Sequence, residues 1–313
     1  MSTRSPSPAT PPLPLPCPRI TEQAIPGFLM SVPLALSAER PNNARMHRLA
    51  PGRRRIFLPR ALRQFRELYA FLAAHSLVYL LPTRPGLQDQ TYVASLGAVL
   101  AHLPEPTLVV SSFRSEPRRG EREAGIAFFE ALGVRFEPAP AFFEGEADLK
   151  PLGGNVYVGA EGLRTSESAL RWLERGFDME LIRFPMRNEL FHHLDCALFP
   201  LTREEVLVCT AVADPGALRA IERRASVIDV SLSDAASGIT SCVRIGRFVL
   251  CASSIDELDS DDEAYPLERS KIMALDEICA KRSLTPVFFD LSEFSKSGAR
   301  LSSLILHLNH ANF

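Results

Sequence analysis

A repeat of about 50 residues constrains this chain more than any other feature. Helix-period stretches lie at 60–75, 117–132, 165–176, 214–225 and 265–282, so their starts are spaced by about 57, 48, 49 and 51 residues. Short β-branched or aliphatic runs of strand length lie between them, at 28–33, 77–81, 91–99, 107–111, 155–158, 179–184, 193–199, 205–212, 226–230, 240–252, 285–289 and 301–308. Each unit reads as a helix, a strand and one or two further strands. The strand at 28–33 has no helix before it. Pairing it with 301–308 closes five units into a ring without free sheet edges. A doubly wound open sheet is the competing architecture, but strands outnumber helices by more than two to one. Two helix starts carry capping signals. Thr165, followed by Glu167-Ser168, opens the third helix, and Asp214-Pro215 opens the fourth.

The repeat does not reach the start of the chain. Residues 1–18 hold seven of the 25 prolines, mixed with Ser, Thr and Ala, and cannot bury enough apolar surface to offset their ordering entropy. The chain thus divides into a disordered Pro-rich tail over 1–22 and a single domain over 23–313. The tail lacks the basic and continuous apolar regions of a signal peptide and offers a protein partner a proline-rich segment. Residues 34–56 read as irregular, with a turn at Pro41-Asn42-Asn43 and a solvated basic run, Arg53-Arg54-Arg55. With 35 basic and 37 acidic residues, the chain has no general pull on nucleic acid or anionic membrane. No apolar stretch approaches the roughly 20 residues of a membrane span. Six scattered cysteines, none in a Cys-x-x-Cys pair, speak against a disulfide scaffold or structural zinc and for a cytoplasmic setting.

Polar residues recur at the equivalent place in each unit: Asp89; Glu144 and Asp148; His193 and Asp195; Ser241 and Cys242; Ser302 and Ser303. A pseudo-symmetric ring gathers them at one end of its axis. On a strand, His193 and Asp195 project to the same face and Cys196 to the other. Histidine moves protons near neutral pH and a carboxylate grips a cation, although the pair equally suits a core hydrogen bond and a turn cap. His192 and His193, adjacent on a strand, make poor joint metal ligands, so no metal is expected. Glu144-Gly-Glu-Ala-Asp148 reads either as a solvated loop or as an acidic cluster. Gly153-Gly154 lies outside any phosphate-loop pattern, which argues against nucleotide binding. Arg164 reads either as a surface arginine or as a clamp for a substrate carboxylate.

The segments FEGEADLKPLGGNVYVGAEGLRTSESAL, HHLDCALFPL and GITSCVRIG together resemble the guanidine-modifying (pentein) superfamily, which includes arginine deiminase, dimethylarginine dimethylaminohydrolase, agmatine deiminase and glycine amidinotransferase. The resemblance runs from about residue 25 to the C-terminus. It implies an α/β fold, a five-bladed α/β propeller of ββαβ-type repeats, in agreement with the count of units. It also implies hydrolase or amidinotransferase chemistry in arginine metabolism, without metal or organic cofactor. In the family a cysteine thiolate attacks the guanidinium carbon, a histidine protonates the leaving amine, a glutamate orients that histidine, and carboxylates hold the guanidinium. By this resemblance Glu144 is the orienting acid and His193 the general acid/base. Asp195, Asp148 and Asp89 line the substrate site, and Arg164 meets the substrate carboxylate.

Two departures stand out. Ala94-Ser95 occupies a place where relatives often carry acidic residues or Asn. The nucleophilic cysteine is also missing from the C-terminal stretch, Ser297-Gly-Ala-Arg-Leu-Ser302-Ser303. The alternation at Leu304, Leu306 and Leu308 places the nucleophile position at Ser303, with Ser302 as the alternative register, and no cysteine follows Cys279. Two functions follow: an enzyme acting on arginine or a methylarginine-like guanidine, or an inactive homologue that binds such a ligand or a protein partner.

Overall fold

The computed structural model describes residues 23–309, and the Pro-rich tail over 1–22 lies outside the described residues. The strands are β1 (Gly27–Ser31), β2 (Leu77–Leu81), β3 (Gly97–Leu100), β4 (Thr107–Val110), β5 (Phe136–Pro138), β6 (Leu149–Gly153), β7 (Val156–Gly162), β8 (Glu180–Met186), β9 (Leu198–Pro200), β10 (Glu205–Val208), β11 (Ser226–Asp229), β12 (Val243–Ile245), β13 (Phe248–Ala252), β14 (Thr285–Phe289) and β15 (Leu306–His307). Five longer helices alternate with them: α1 (Leu58–His75), α2 (Glu121–Ala131), α3 (Glu167–Gly176), α4 (Pro215–Glu222) and α5 (Tyr265–Ala280).

Among the described residues the strands form five three-stranded sheets of one plan. A central strand pairs antiparallel with one neighbour and parallel with the other: β4 with β3 and β5, β7 with β6 and β8, β10 with β9 and β11, β13 with β12 and β14. Parallel neighbours need a crossover, and each of the five helices supplies one. In the first sheet the central strand is β1, parallel to β2, and its antiparallel partner is β15 from the far end of the chain, with Phe28 opposite His307. The two terminal strands therefore complete one sheet, as the unpaired run at 28–33 leads one to expect.

Each helix lays an apolar stripe on its sheet. In α1 the buried residues include Ala61, Phe65, Leu68 and Leu72, one face of a 3.6-residue period. Phe28 and Met30 of β1 pack with this stripe, while Leu29 points the other way, onto Leu96, Val110 and Leu306. The central strand is thus buried on both sides, by its own helix and by the next unit. No helix among the described residues is long and apolar enough to cross a membrane.

The expected strands at 193–199, 91–99 and 301–308 are corrected in the same way. Each begins with a 3-10 turn, at Leu194–Cys196, Val93–Ser95 and Leu301–Leu304, and only its end is a strand. A short, fully buried apolar run has no periodicity to separate the two. The run 240–252 is the hairpin β12–β13, turning at Gly246 with φ 55°. Asp214 caps α4 as expected. The cap of α3 is Ser166, whose hydroxyl accepts from Ala169 N, and Thr165 is freed for another use.

Candidate active site

Every unit enters its antiparallel strand through a short helical turn, and the recurring polar residues sit on these turns. Asp89 precedes the turn Val93–Ser95, Glu144 and Asp148 bound the helix Gly145–Asp148, and His193 precedes and Asp195 lies in the turn Leu194–Cys196. Ser241 follows the helix Leu232–Ser237, and Ser302 and Ser303 lie in the turn Leu301–Leu304. The second of these turns depends on Gly145. Its φ is +61°, and a Cβ there would lie 2.6 Å from the carbonyl oxygens of Ala94 and Gly97. Only glycine lets the Glu144 turn close against its neighbour.

His193 is held between two fully buried carboxylates. Its Nδ1 donates to Asp148 Oδ1 at 2.9 Å, and its Nε2 stands 3.4 Å from Glu144 Oε2. The orienting hydrogen bond thus comes from Asp148, while Glu144 faces the opposite nitrogen. Asp148 also accepts from Leu194 N and, at 2.6 Å, from the Thr165 hydroxyl, which in turn accepts from Glu144 N. Thr165 ties the Arg-Thr-Ser segment to the Glu-Gly segment. Neither oxygen of Glu144 accepts a hydrogen bond, although Arg164 and Arg118 approach to 3.5 and 3.9 Å. Burial alone lowers the His193 pKa, but Asp148 and then Glu144 outweigh it and raise the value above 6.5. The neighbouring His192 moves the other way, lowered by burial and then by His193 and Arg164.

A cavity of about 40 Å³ opens at this point, and its walls include Asp89, Arg164, His193, Asp195, Ser241 and Ser303. Arg164 donates to Asn42 O at 2.7 Å, and Asn42 Nδ2 donates to Asp89 Oδ2 at 2.5 Å, so Asn42 spans the two. Burial raises the Asp89 pKa against the pull of Arg118 and of hydrogen bonds from Gln88 and Asn42. Ser302 is turned away from the cavity, its hydroxyl donating to Asp195 Oδ2 at 2.8 Å, whereas Ser303 lies on the wall.

Because His193–Asp195 form a turn and not a strand, Cys196 also reaches the cavity, contrary to the expectation that it faces away. It is held as a thiol. Burial and then the Asp195 charge push its pKa up to about 12, and its S–H points at Asp195 Oδ1.

Sequence reading missed Arg118. It is buried, grips Glu121 through Nε and Nη2, donates to Tyr92 O and lies 4.5 Å over the Phe113 ring. Burial lowers its pKa, but Glu121 and Glu144 more than offset this. Nothing in PRRGEREAG distinguishes it from the solvated arginines beside it. Asn42 and Arg300, which also line the cavity, were missed because both come from irregular segments; Arg300 donates to Ala236 O at 2.9 Å.

Five sheets of this plan, with these turns and this histidine between carboxylates, define a class: the chain has the fold of the guanidine-modifying (pentein) superfamily, the one its motifs resemble. No family model matches the chain. Among curated proteins it is 26% identical over 260 residues to AgrE of a Nostoc species, a bifunctional arginine dihydrolase/ornithine cyclodeaminase; the match covers 80% of this chain but only 33% of AgrE. The chain spans about a third of that relative. Among solved structures it superposes on the N-terminal domain of ArgZ, a cyanobacterial arginine dihydrolase, solved as a cysteine-to-serine mutant bound to substrate. The TM-score is 0.78 at 24% identity, covering 91% of this chain and 98% of that one. A dimethylarginine dimethylaminohydrolase gives a TM-score of 0.68 at 16% identity, covering 90% and 99%.

Proposed function

We propose that this chain carries a guanidine-modifying site, of hydrolase or amidinotransferase type, in which Ser303 stands in the place of the nucleophilic cysteine. The five sheets act as the blades of a five-bladed α/β propeller, and their short turns converge on the site. The observation that carries the reading is His193 held by Asp148 on one nitrogen and faced by Glu144 on the other, beside Asp89 and Asp195. A planar guanidinium presents several N–H donors. The carboxylates of Asp89 and Asp195, which line the cavity, are the acceptors for them. His193 has the position of a general acid for the departing amine, and Arg164 that of a carboxylate clamp. No metal or organic cofactor enters these steps.

Ser303 sets the rate. An alcohol is far less acidic than a thiol, and the guanidinium carbon is a poor electrophile. Losing the thiolate costs about 4–6 kcal/mol of barrier lowering, roughly 10³–10⁴-fold in rate. The second reading, a site that binds a guanidine and does not turn it over, rests on this substitution and on the protonated Cys196. The ArgZ domain with serine for cysteine, captured with its substrate, is a precedent for binding without the thiol.

The test is release of a ureido product or ammonia from arginine and methylarginines, with the chain as it stands beside Ser303→Cys and Ser302→Cys, and calorimetric binding in parallel. We expect binding with little or no turnover in the unmodified chain and a gain of at least about 10²-fold in Ser303→Cys alone. Ordinary turnover by the unmodified chain removes the demand for a thiol. Absence of guanidine binding in all three removes the reading.

A further inference from the structure

Outside the inner cavity lies a vestibule of about 720 Å³ that shares Asn42, Asn43, Arg164 and His192 with it. Its charged lining is one-sided. His47 and Arg48, on the helix Ala44–Arg48, join Arg114 and Arg164 against a single carboxylate, Glu189. Among the described residues neither Arg48 nor Arg114 has an ion-pair partner, and Arg114 instead lies 5.1 Å over the Phe142 ring. The volume is that of a small-molecule pocket.

These features belong to the far end of whatever the inner cavity holds. A ligand whose guanidinium lies beside Asp89 and His193 emerges past Arg164 into the vestibule. Free arginine brings one carboxylate, which Arg164 satisfies, and one ammonium, which then faces His47, Arg48 and Arg114 with only Glu189 to accept it. A second negative group in place of the ammonium meets two guanidiniums that have no ion-pair partner among the described residues. We infer that the ligand is a guanidino compound with two negative groups and no free ammonium, of the kind formed when a dicarboxylic acid acylates the α-nitrogen of arginine. This inference rests on the guanidine reading of the inner cavity and names the class of compound that the site selects.

Calorimetry on the full chain tests it with L-arginine, Nα-acetyl-L-arginine and Nα-succinyl-L-arginine, at low and high ionic strength. The succinyl compound is expected to bind roughly tenfold more tightly than arginine at low salt, with the advantage shrinking as salt screens the exposed guanidiniums. In the Arg48→Ala/Arg114→Ala double variant the two should bind within about twofold of each other. Arginine binding as tightly as the succinyl compound, or a preference that survives in the double variant, overturns the inference and leaves the inner cavity's reading standing. Failure of all three guanidines to bind overturns that reading and the inference with it.

Discussion

Asp148 on one nitrogen of His193 and Glu144 against the other make the imidazole a better base than in water. The sign is definite. A raised pKa in the folded chain means that the His193 contribution to stability is full below about 6.5 and is lost as pH rises through the folded value. Asp148→Asn removes the strongest of the interactions that raise the His193 pKa. The His193 titration, followed by NMR of its ring carbon, should move down toward or below 6.5; a midpoint that stays put means that Asp148 does not set it. The same variant should cost about 2–4 kcal/mol in urea unfolding, because Thr165 and Leu194 lose part of their buried acceptor. His193, Asp148 and Glu144 were legible in the sequence because their spacing repeats a known pattern. Which carboxylate bonds the ring was not, since that depends on how two turns from different units meet. Arg118 was hidden because a charged residue in a charged stretch gives no sign that folding buries it, and Asn42 because an irregular turn gives no sign of what it will face.

The short turns that open each antiparallel strand are the elements that make the site, and sequence periodicity sees them least well. The five crossover helices were legible to within a few residues, because an amphipathic stripe of ten or more residues is a strong signal. The turns are three or four residues long and buried, so Val93–Ser95, Leu194–Cys196 and Leu301–Leu304 look like the starts of strands. The helix Gly145–Asp148 carries the sharpest constraint. Gly145→Ala places a methyl 2.6 Å from two backbone oxygens at a φ of +61°. The backbone cannot absorb this, so the Glu144 turn must swing off its neighbour. The expected outcome is a destabilisation of more than about 2 kcal/mol and loss of guanidine affinity together. Gly153→Ala, also at positive φ but with open space around its Cβ, is the control, expected to cost about 1 kcal/mol and to spare binding. Equal effects of the two substitutions refute the argument from close approach.

At the scale of the whole molecule, the ends of the chain are joined by more than the β1–β15 pairing. The pairing of the two terminal strands was legible because 28–33 has no helix before it, but the side-chain lock that accompanies it was not. Glu146, on the short helix of the second unit, accepts from His307 N at 2.9 Å and pairs with His307 Nδ1 at 2.7 Å, with Lys150 at 3.7 Å. His307 packs edge-on against Phe28 of β1, with ring centroids 5.0 Å apart. One carboxylate therefore fastens the last strand to the short helix of the second unit. Burial alone raises the Glu146 pKa, but His307 and Lys150 overcome it and hold the value well below the usual carboxylate range. A depressed carboxylate stabilises the fold fully above its unfolded pKa, about 4.3, and that stability is lost as pH falls below it. Glu146→Gln keeps the shape and still offers an oxygen to the His307 amide, but it removes the charge together with the acceptor that faces His307 Nδ1. Urea unfolding should show the variant less stable by about 2–4 kcal/mol at pH 7, with the gap narrowing as pH falls toward 3 and the native carboxylate is itself protonated. A gap that is constant with pH means that the seam is held by packing around Phe28 and Leu306 and not by this charge.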